Sequence, residues 1–118
     1  MENLTFQNSI GELLRLIPEI RDFKDFQAIA SHGNADNQYV VFGVFENFYI
    51  ESFQQNKKDL IKRMSKFLEE AAKSKDIKLQ ELAAYGFLEN LSVKADYYGG
   101  IVKTFGEYTK KQLSELNV

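Results

Sequence analysis

The chain has 118 residues, the length of one ordinary domain, and is 44% hydrophobic with 10 Phe and 6 Tyr. This composition can fill a core, which argues against intrinsic disorder. The absence of Cys and the single His exclude disulfides, thiolate metal sites, a Cys nucleophile and His-rich metal clusters. With only 1 Pro and 7 Gly, the sequence has few of the residues that favour turns, which weighs against a β-sandwich or a small barrel.

The formal net charge is −2, but the charges are unevenly distributed. Residues 1–56 carry 8 acids and 3 bases, residues 57–78 carry 8 bases and 4 acids, and residues 79–118 carry 5 acids and 4 bases. No Lys or Arg occurs from Asp25 to Asn56. A nucleic-acid binder needs a basic footprint, so we expect no nucleic-acid partner. The acidity is compatible with a basic protein partner, although mild acidity is also common among cytoplasmic proteins.

The sequence lacks the features of membrane and exported proteins. No apolar run approaches the roughly 20 residues that a membrane helix requires. The N-terminus has no positive region followed by an apolar stretch, so we expect no signal peptide. We therefore expect a cytoplasmic protein with no membrane partner and one domain spanning residues 1–118.

Helical spacing of apolar residues predicts two helices in the first third of the chain. The first covers residues 6–17. Pro18, which suits a first helical turn, begins the second. This second helix is expected to end near His32 with Gly33 as its C-terminal cap. Residues 33–37 form a loop by composition.

Residues 39–53 fit either a strand or a helix. Their first residues are β-branched and aromatic, as in a buried strand. Phe42, Phe45, Tyr49 and Phe53, however, form a seam at helical spacing, and apolar residues occur nearly all round. We therefore favour a central, buried helix over a strand.

An amphipathic helix is predicted over residues 57–74. Asn56 can cap this helix, and Glu69 and Lys73 form an i,i+4 pair in the favourable order. Asp76 then suits the N-cap of another helix over residues 77–91. The short connection predicts an αα-hairpin, and Ile77 is placed on the apolar side of its second helix.

A last helix is predicted over residues 101–116, which completes an all-α fold. About six helices follow one another, mostly as consecutive antiparallel hairpins. Three stacked hairpins of this kind would form a bundle that resembles a short α-solenoid.

The sequence contains no clear catalytic, nucleotide-binding or metal-binding motif. A Ser/His/acid site would have to use His32 as its base, but a His at a helix end more often contacts the terminal carbonyls. No Walker loop or dinucleotide fingerprint occurs. The oxygen-bearing loop at Asn34, Asp36 and Asn37 lacks the frame and closing Glu of a calcium loop. We predict a non-enzymatic protein with no catalytic residue, metal or cofactor.

Acidic and Tyr side chains are the candidates for contact with a protein partner. Glu81, Tyr85 and Glu89 follow at i, i+4 and i+8 on one side of the helix over residues 77–91. Tyr supplies contact area with a polar tip and carboxylates pair with Lys or Arg, although a solvated helix face explains the stripe equally well. The full set of predicted partner-binding residues is Asp36, Tyr39, Glu46, Glu81, Tyr85, Glu89, Asp96 and Tyr97.

Glu46 and the Asp96-Tyr97 pair each have a second interpretation. Glu46 falls on the apolar seam of the central helix, where a carboxylate is costly unless it is paired or at a rim. It is either held for a partner's cation or paired internally, with Arg15, with Arg21 or with a tyrosine. Asp96 and Tyr97 also fit a plain surface turn.

Several segments resemble those of a known family. They are LIKRMSKFLEE at residues 60–70, SKD at 74–76, LQ at 79–80, GFLENL at 86–91, ELLRLIPEI at 12–20, VFG at 41–43 and FYI at 48–50. Together they look like the helical hairpins of small all-α bacterial immunity proteins of contact-dependent growth inhibition and related polymorphic toxin systems. The resemblance implies a non-enzymatic inhibitor that binds one cognate toxin and blocks its active site or substrate path. Such families bind through variable surfaces, so it assigns no site residue.

The sequence therefore supports two functional hypotheses. The first is a cytoplasmic immunity protein that neutralises a basic toxin domain, for example a nuclease, with acidic and Tyr side chains in the place of phosphates. The alternative is a helical adaptor or regulatory subunit of a larger complex, for which exposed Tyr39, Tyr97 and Tyr98 would serve equally well.

Overall fold

A computed structural model describes residues 3–92 and 99–116, and all regular structure in these ranges is helical. The elements are α1 (Ser9–Leu16), a first 3-10 helix (Pro18–Asp22), α2 (Lys24–Ser31), α3 (Gln38–Gln54), α4 (Lys58–Ala72), α5 (Ile77–Glu81), a π-helical segment (Leu82–Leu88), α6 (Glu89–Ser92), a second 3-10 helix (Ile101–Thr104) and α7 (Glu107–Leu116). Because α5, the π-helical segment and α6 run on without a break, these elements amount to about six helical rods. The predicted all-α fold is confirmed.

The first third of the chain is more divided than predicted. α1 begins at Ser9 because Thr5 and Asn8 form a turn, in which each side-chain oxygen accepts the other's backbone N–H at 2.8 and 3.2 Å. The helix predicted from Pro18 is interrupted at Phe23, whose backbone is extended. Phe23 there packs on Phe48, with ring centroids 5.0 Å apart.

The end of α2 and the middle of the chain follow the prediction. Gly33 has φ of +75° at the end of α2, a conformation that favours glycine, and so acts as the predicted cap. Asn37 then caps α3, since its side-chain oxygen accepts the N–H of Val40 at 3.1 Å. The segment that was ambiguous between strand and helix is a single long helix.

α3 is the centre of the molecule, and its aromatic side chains form the core. Phe42, Phe45 and Tyr49 are fully buried along α3. Phe45 contacts Phe67 of α4 and Phe87 of the π-helical segment, with ring centroids 5.7 and 5.0 Å apart. Such pairs contribute about 0.5–1.5 kcal/mol each beyond the area that they bury. Because α3 is apolar nearly all round, it is packed by α1, α2, α4, the π-helical segment and α6.

Two carboxylates join segments that are distant in sequence. Asp76 caps α5 by accepting the N–H of Lys78 at 3.1 Å and also accepts the N–H of Phe6 at 2.8 Å. Glu69 of α4 accepts the N–H groups of Tyr108 and Thr109 at 3.0 Å, together with the Thr109 hydroxyl at 2.9 Å. The N-terminal segment is thereby held to the start of α5, and α7 is held to α4.

Two predicted details of α4 are wrong. Asn56 does not cap this helix: its backbone has φ of 58°, and the N-cap position is occupied by Lys57. The ion pair of Lys73 is with Glu70, at 3.4 Å, because Glu69 turns to the first turn of α7.

The last predicted helix is likewise divided. A 3-10 turn precedes Phe105, whose backbone is extended, and α7 begins after Gly106. None of the helices described is both long enough and apolar enough to cross a bilayer.

Candidate partner-binding surface

Three of the predicted contact residues share one exposed region, which we call the acid–tyrosine surface: Tyr39, Glu81 and Tyr85. Tyr39 lies in the first turn of α3 and is 43% exposed, and Tyr85 of the π-helical segment is 51% exposed. Glu81, also exposed, ends α5. Partial burial, followed by the charge of Glu81 and the proximity of Tyr85, raises the pKa of Tyr39. The two helices therefore bring these side chains together.

The close approach of the two helices depends on Gly86. A Cβ atom at this position would lie 3.2 Å from the Cβ of Phe42 and 3.4 Å from the Cδ1 of Tyr39. The surrounding segment is a π-helix, with i→i+5 hydrogen bonds. Such segments are rare in proteins, and those that exist are frequently found at functional sites. The absence of a side chain at Gly86 thus lets the backbone beside Tyr85 pack directly on α3.

Apolar side chains border the acid–tyrosine surface. Tyr39 contacts Phe6, with ring centroids 6.4 Å apart, and Phe6 is held in place by the hydrogen bond of its N–H to Asp76. Ile77 is 61% exposed, so its predicted place on the buried side of the helix is wrong. It precedes Glu81 by one helical turn, on the same face of α5.

A cleft of about 220 Å³ between α5, the π-helical segment and α7 adjoins this surface. We call it the α5–α7 cleft; its lining residues are Gln80, Glu81, Ala84, Tyr85, Gln112, Glu115 and Leu116. Gln112 donates through Nε2 to the Gln80 carbonyl at 3.1 Å. The other amide atom, Oε1, is buried and has no hydrogen-bond donor within the part of the chain that the structure describes. Sequence reasoning missed Gln112 and Glu115, since no spacing indicates which face of α7 meets α5.

Glu46 is a correction to the predicted contact set. Its side chain is only 2% exposed, so it is not part of the accessible surface, and it is engaged in a polar interaction. Arg15, one expected partner, instead pairs with Glu12 at 2.6 Å, and Arg21 is exposed. The carboxylate lies inside because α3 is buried nearly all round, which leaves no polar face at this position.

The remaining predicted contact residues lie in other segments of the chain. Asp36 is exposed in the loop between α2 and α3. Glu89 is exposed at the start of α6 and has an interaction of its own. Asp96 and Tyr97 lie outside the residues that the structure describes.

A groove of about 650 Å³ lies between the first 3-10 helix, α3 and α4, away from the first turn of α3. Its charges are mixed, and Arg63 at its wall is already bound. The guanidinium donates to both carboxylate oxygens of Glu19, to Asp59 at 3.2 Å and to the Leu16 carbonyl at 3.1 Å. This network lowers the pKa of Glu19, chiefly through the Arg63 hydrogen bonds. The groove therefore presents no single charge to a ligand.

His32 follows the last residue of α2. The Nδ1 atom of His32 lies 2.8 Å from the Ala28 carbonyl, the contact with a helix-terminal carbonyl that the sequence predicted. Among the residues with described positions, no three His, Cys, Asp or Glu side chains are grouped to hold a metal ion.

A family model described as a domain of unknown function, DUF7674, matches residues 10–117. The match extends from α1 through α7 and includes both the acid–tyrosine surface and the α5–α7 cleft. No curated protein and no solved structure matches the chain.

Proposed function

The chain belongs to the DUF7674 family, and we propose that it is an immunity protein that binds a cognate bacterial toxin domain and neutralises it by blocking the toxin's active site. The observation that carries this proposal is the acid–tyrosine surface, where Tyr39, Glu81 and Tyr85 are exposed together. The helical-hairpin segments that resemble immunity proteins suggest the class of partner.

The exposure of two tyrosines on one surface favours a protein partner. Tyr39 and Tyr85 are about half exposed, whereas Tyr49 is fully buried in the core. Tyr is enriched in protein interfaces, where its ring buries a large area at low entropic cost and its hydroxyl forms a hydrogen bond. Ile77 adds exposed apolar area next to Glu81, as the centre of an interface requires.

The charge of the acid–tyrosine surface favours a basic toxin domain. Glu81 contributes a carboxylate, and Glu115 adds another in the adjoining cleft. Complementary charge accelerates association and suppresses binding to wrong partners. A nuclease is one toxin of this kind, since carboxylates on the inhibitor can occupy the positions of nucleic-acid phosphates.

The proposal is tested by co-expression with the C-terminal domain of the large protein encoded by the neighbouring gene, which the proposal identifies as the toxin. The wild-type chain should restore growth of toxin-producing cells and co-purify with the toxin. Glu81→Lys combined with Tyr85→Ala should weaken both effects. Glu51→Lys is the matched control, because Glu51 is an exposed acid about 18 Å further along α3 than Tyr39.

Each result decides between the two functions. Restored growth that depends on Glu81 and Tyr85 but not on Glu51 supports an immunity protein acting through this surface. Continued killing by an active toxin in the presence of folded wild-type chain overturns the proposal. The acid–tyrosine surface would then be assigned to the partner of a helical adaptor.

A further inference from the structure

We propose that the α5–α7 cleft is the specificity pocket of this surface and receives one arginine side chain of the protein partner. This inference rests on the proposed function, because it gives the chemistry by which the partner is recognised. It is carried by the lining of the cleft: two carboxylates, a buried acceptor with no described donor, and an exposed aromatic ring.

The charges of the cleft are complementary to a cation. Glu81 and Glu115 line it, and no Lys or Arg does among the residues that the structure describes. Neither carboxylate forms an ion pair with a residue in the described ranges 3–92 and 99–116. A cationic side chain entering between them would therefore meet two acceptors that are not paired with any cation of the described ranges.

Gln112 supplies an observation independent of the two acids. Its amide orientation is fixed, because Nε2 donates to the Gln80 carbonyl at 3.1 Å and a flipped amide would place two oxygens together. Oε1 is consequently the atom left buried without a described donor. Buried polar atoms are nearly always hydrogen-bonded in proteins, so Oε1 still requires a donor, and a small movement of the cleft wall on binding would expose it to a ligand N–H group.

The remaining walls favour arginine over lysine. The Tyr85 ring is 51% exposed and offers a face on which a planar guanidinium stacks. Ala84 and Leu116 provide apolar surface for the methylene groups of the same side chain. Arginine offers five N–H donors in a rigid fork to the acceptors of this lining, whereas lysine offers three from a single atom. The volume of about 220 Å³ is below that of ordinary small-molecule pockets and suits a single side chain.

The test uses the whole chain without its partner. N-acetyl-arginine amide is titrated into ¹⁵N-labelled protein, and the side-chain NH₂ signals of Gln112 are followed by NMR. N-acetyl-citrulline amide, which has similar shape and no charge, and N-acetyl-lysine amide are titrated in parallel. We expect a saturable shift at Gln112 with the arginine derivative and about tenfold weaker binding of the citrulline derivative, because charge-assisted hydrogen bonds are lost.

Variants separate the cleft from general acidity. Glu115→Gln should weaken binding of the arginine derivative about tenfold, whereas Glu107→Gln, an exposed acid at the start of α7, should leave it unchanged. Unchanged dispersion of the backbone NMR spectrum establishes that each variant is folded. Equal shifts with arginine and citrulline derivatives, tighter binding of the lysine derivative, or no saturable shift at Gln112 would overturn the inference.

Failure of the inference can be distinguished from failure of the proposed function. Equal binding of the toxin by the wild-type chain and by its Glu115→Gln variant would contradict the arginine pocket but not the immunity function. Binding of the arginine derivative at Gln112 without protection against the toxin would contradict the immunity function but not the pocket.

Discussion

Tyr39 of α3 and Glu81 of α5 lie close enough for the Glu81 carboxylate to act on the Tyr39 phenol, and with burial this charge raises the pKa of Tyr39. The two residues belong to different helices and are brought together where Gly86 lets the π-helical segment pack on α3. Because these residues are close, the acid–tyrosine surface is built from two helices and not from one side of a single helix.

Replacing Glu81 by Gln should lower the pKa of Tyr39. The negative charge disfavours the phenolate, so its removal shifts the pKa downward, but not fully to the ordinary 10.0, because burial is the larger cause and remains. The measurement is the ¹³Cζ NMR shift of Tyr39 as a function of pH. Glu51→Gln, a change at the other end of α3, should have no effect; an unaltered Tyr39 titration in the Glu81 variant would show that the two residues are not coupled.

Removing the Glu69 carboxylate should destabilise the fold by about 1–3 kcal/mol, the cost of losing a helix cap and leaving donors unpaired. Glu69→Ala takes away the acceptor of Tyr108 N–H, Thr109 N–H and the Thr109 hydroxyl. The measurement is the urea unfolding midpoint. Glu70→Ala, a neighbouring acid on the same helix, serves as the control and should change the midpoint less.

Gly106→Ala should act through the same contact. A Cβ atom at residue 106 would lie 2.4 Å from the Cδ of Glu69, so the carboxylate must move away from α7. We expect a loss of about 1–3 kcal/mol in the wild-type background and a smaller one in Glu69→Ala, since the two changes disrupt one interaction. Additive losses in the double variant would contradict this coupling.

The stability of the fold should fall in acid, partly through Glu69. Burial raises the pKa of Glu69, but the hydrogen bonds from Tyr108 and Thr109 outweigh it and hold the pKa below the ordinary 4.5. The unfolded chain therefore binds a proton first. The stabilisation is complete above about pH 4.5 and is lost as the pH falls through the lower folded value.

The measurement is the free energy of unfolding between pH 3 and 7. Glu69→Gln should flatten its decline below pH 4.5, although a residual slope remains because the pKa values of Glu19 and Asp76 are also lowered. An identical decline in the wild type and the variant would exclude Glu69 as a contributor.

Tyr49→Phe should reduce stability by about 1 kcal/mol without changing the fold. The Tyr49 hydroxyl is hydrogen-bonded to Thr104 Oγ1 at 2.6 Å, and Thr104 also donates to the Ile101 carbonyl at 2.6 Å. Phe keeps the ring that packs on Phe105. Thermal unfolding measures the loss, and an unchanged melting temperature would show that this hydrogen bond makes no net contribution.

Local patterns were sufficient to predict much of the fold. Periodicity identified α3 as a buried helix, and the residue types of Gly33 and Asp76 predicted two caps that the structure confirms. These features depend on neighbouring residues alone. The break at Phe23 was not predictable in this way, because it accompanies packing on Phe48, a contact between separate elements.

The candidate site shows the same limit. Tyr39, Glu81 and Tyr85 were selected by residue type and helical spacing, but only the packing of α3 on the π-helical segment brings them together. Glu46 was also selected by residue type, although it lies on the apolar seam of a helix predicted to be central, and its side chain is buried. Gln112 gave no signal, because its significance comes from an acceptor left unpaired in the tertiary structure.

The most direct test of the central claim is the dissociation constant between this chain and the C-terminal domain of the large protein encoded by the neighbouring gene, the toxin under this proposal, measured by calorimetry. We predict that the wild type and Glu51→Lys bind with equal affinity, and that Glu81→Lys with Tyr85→Ala binds at least about thirtyfold more weakly, as expected for loss of central interface residues. Equal affinity of all three proteins, or no binding by the wild type, would contradict the account.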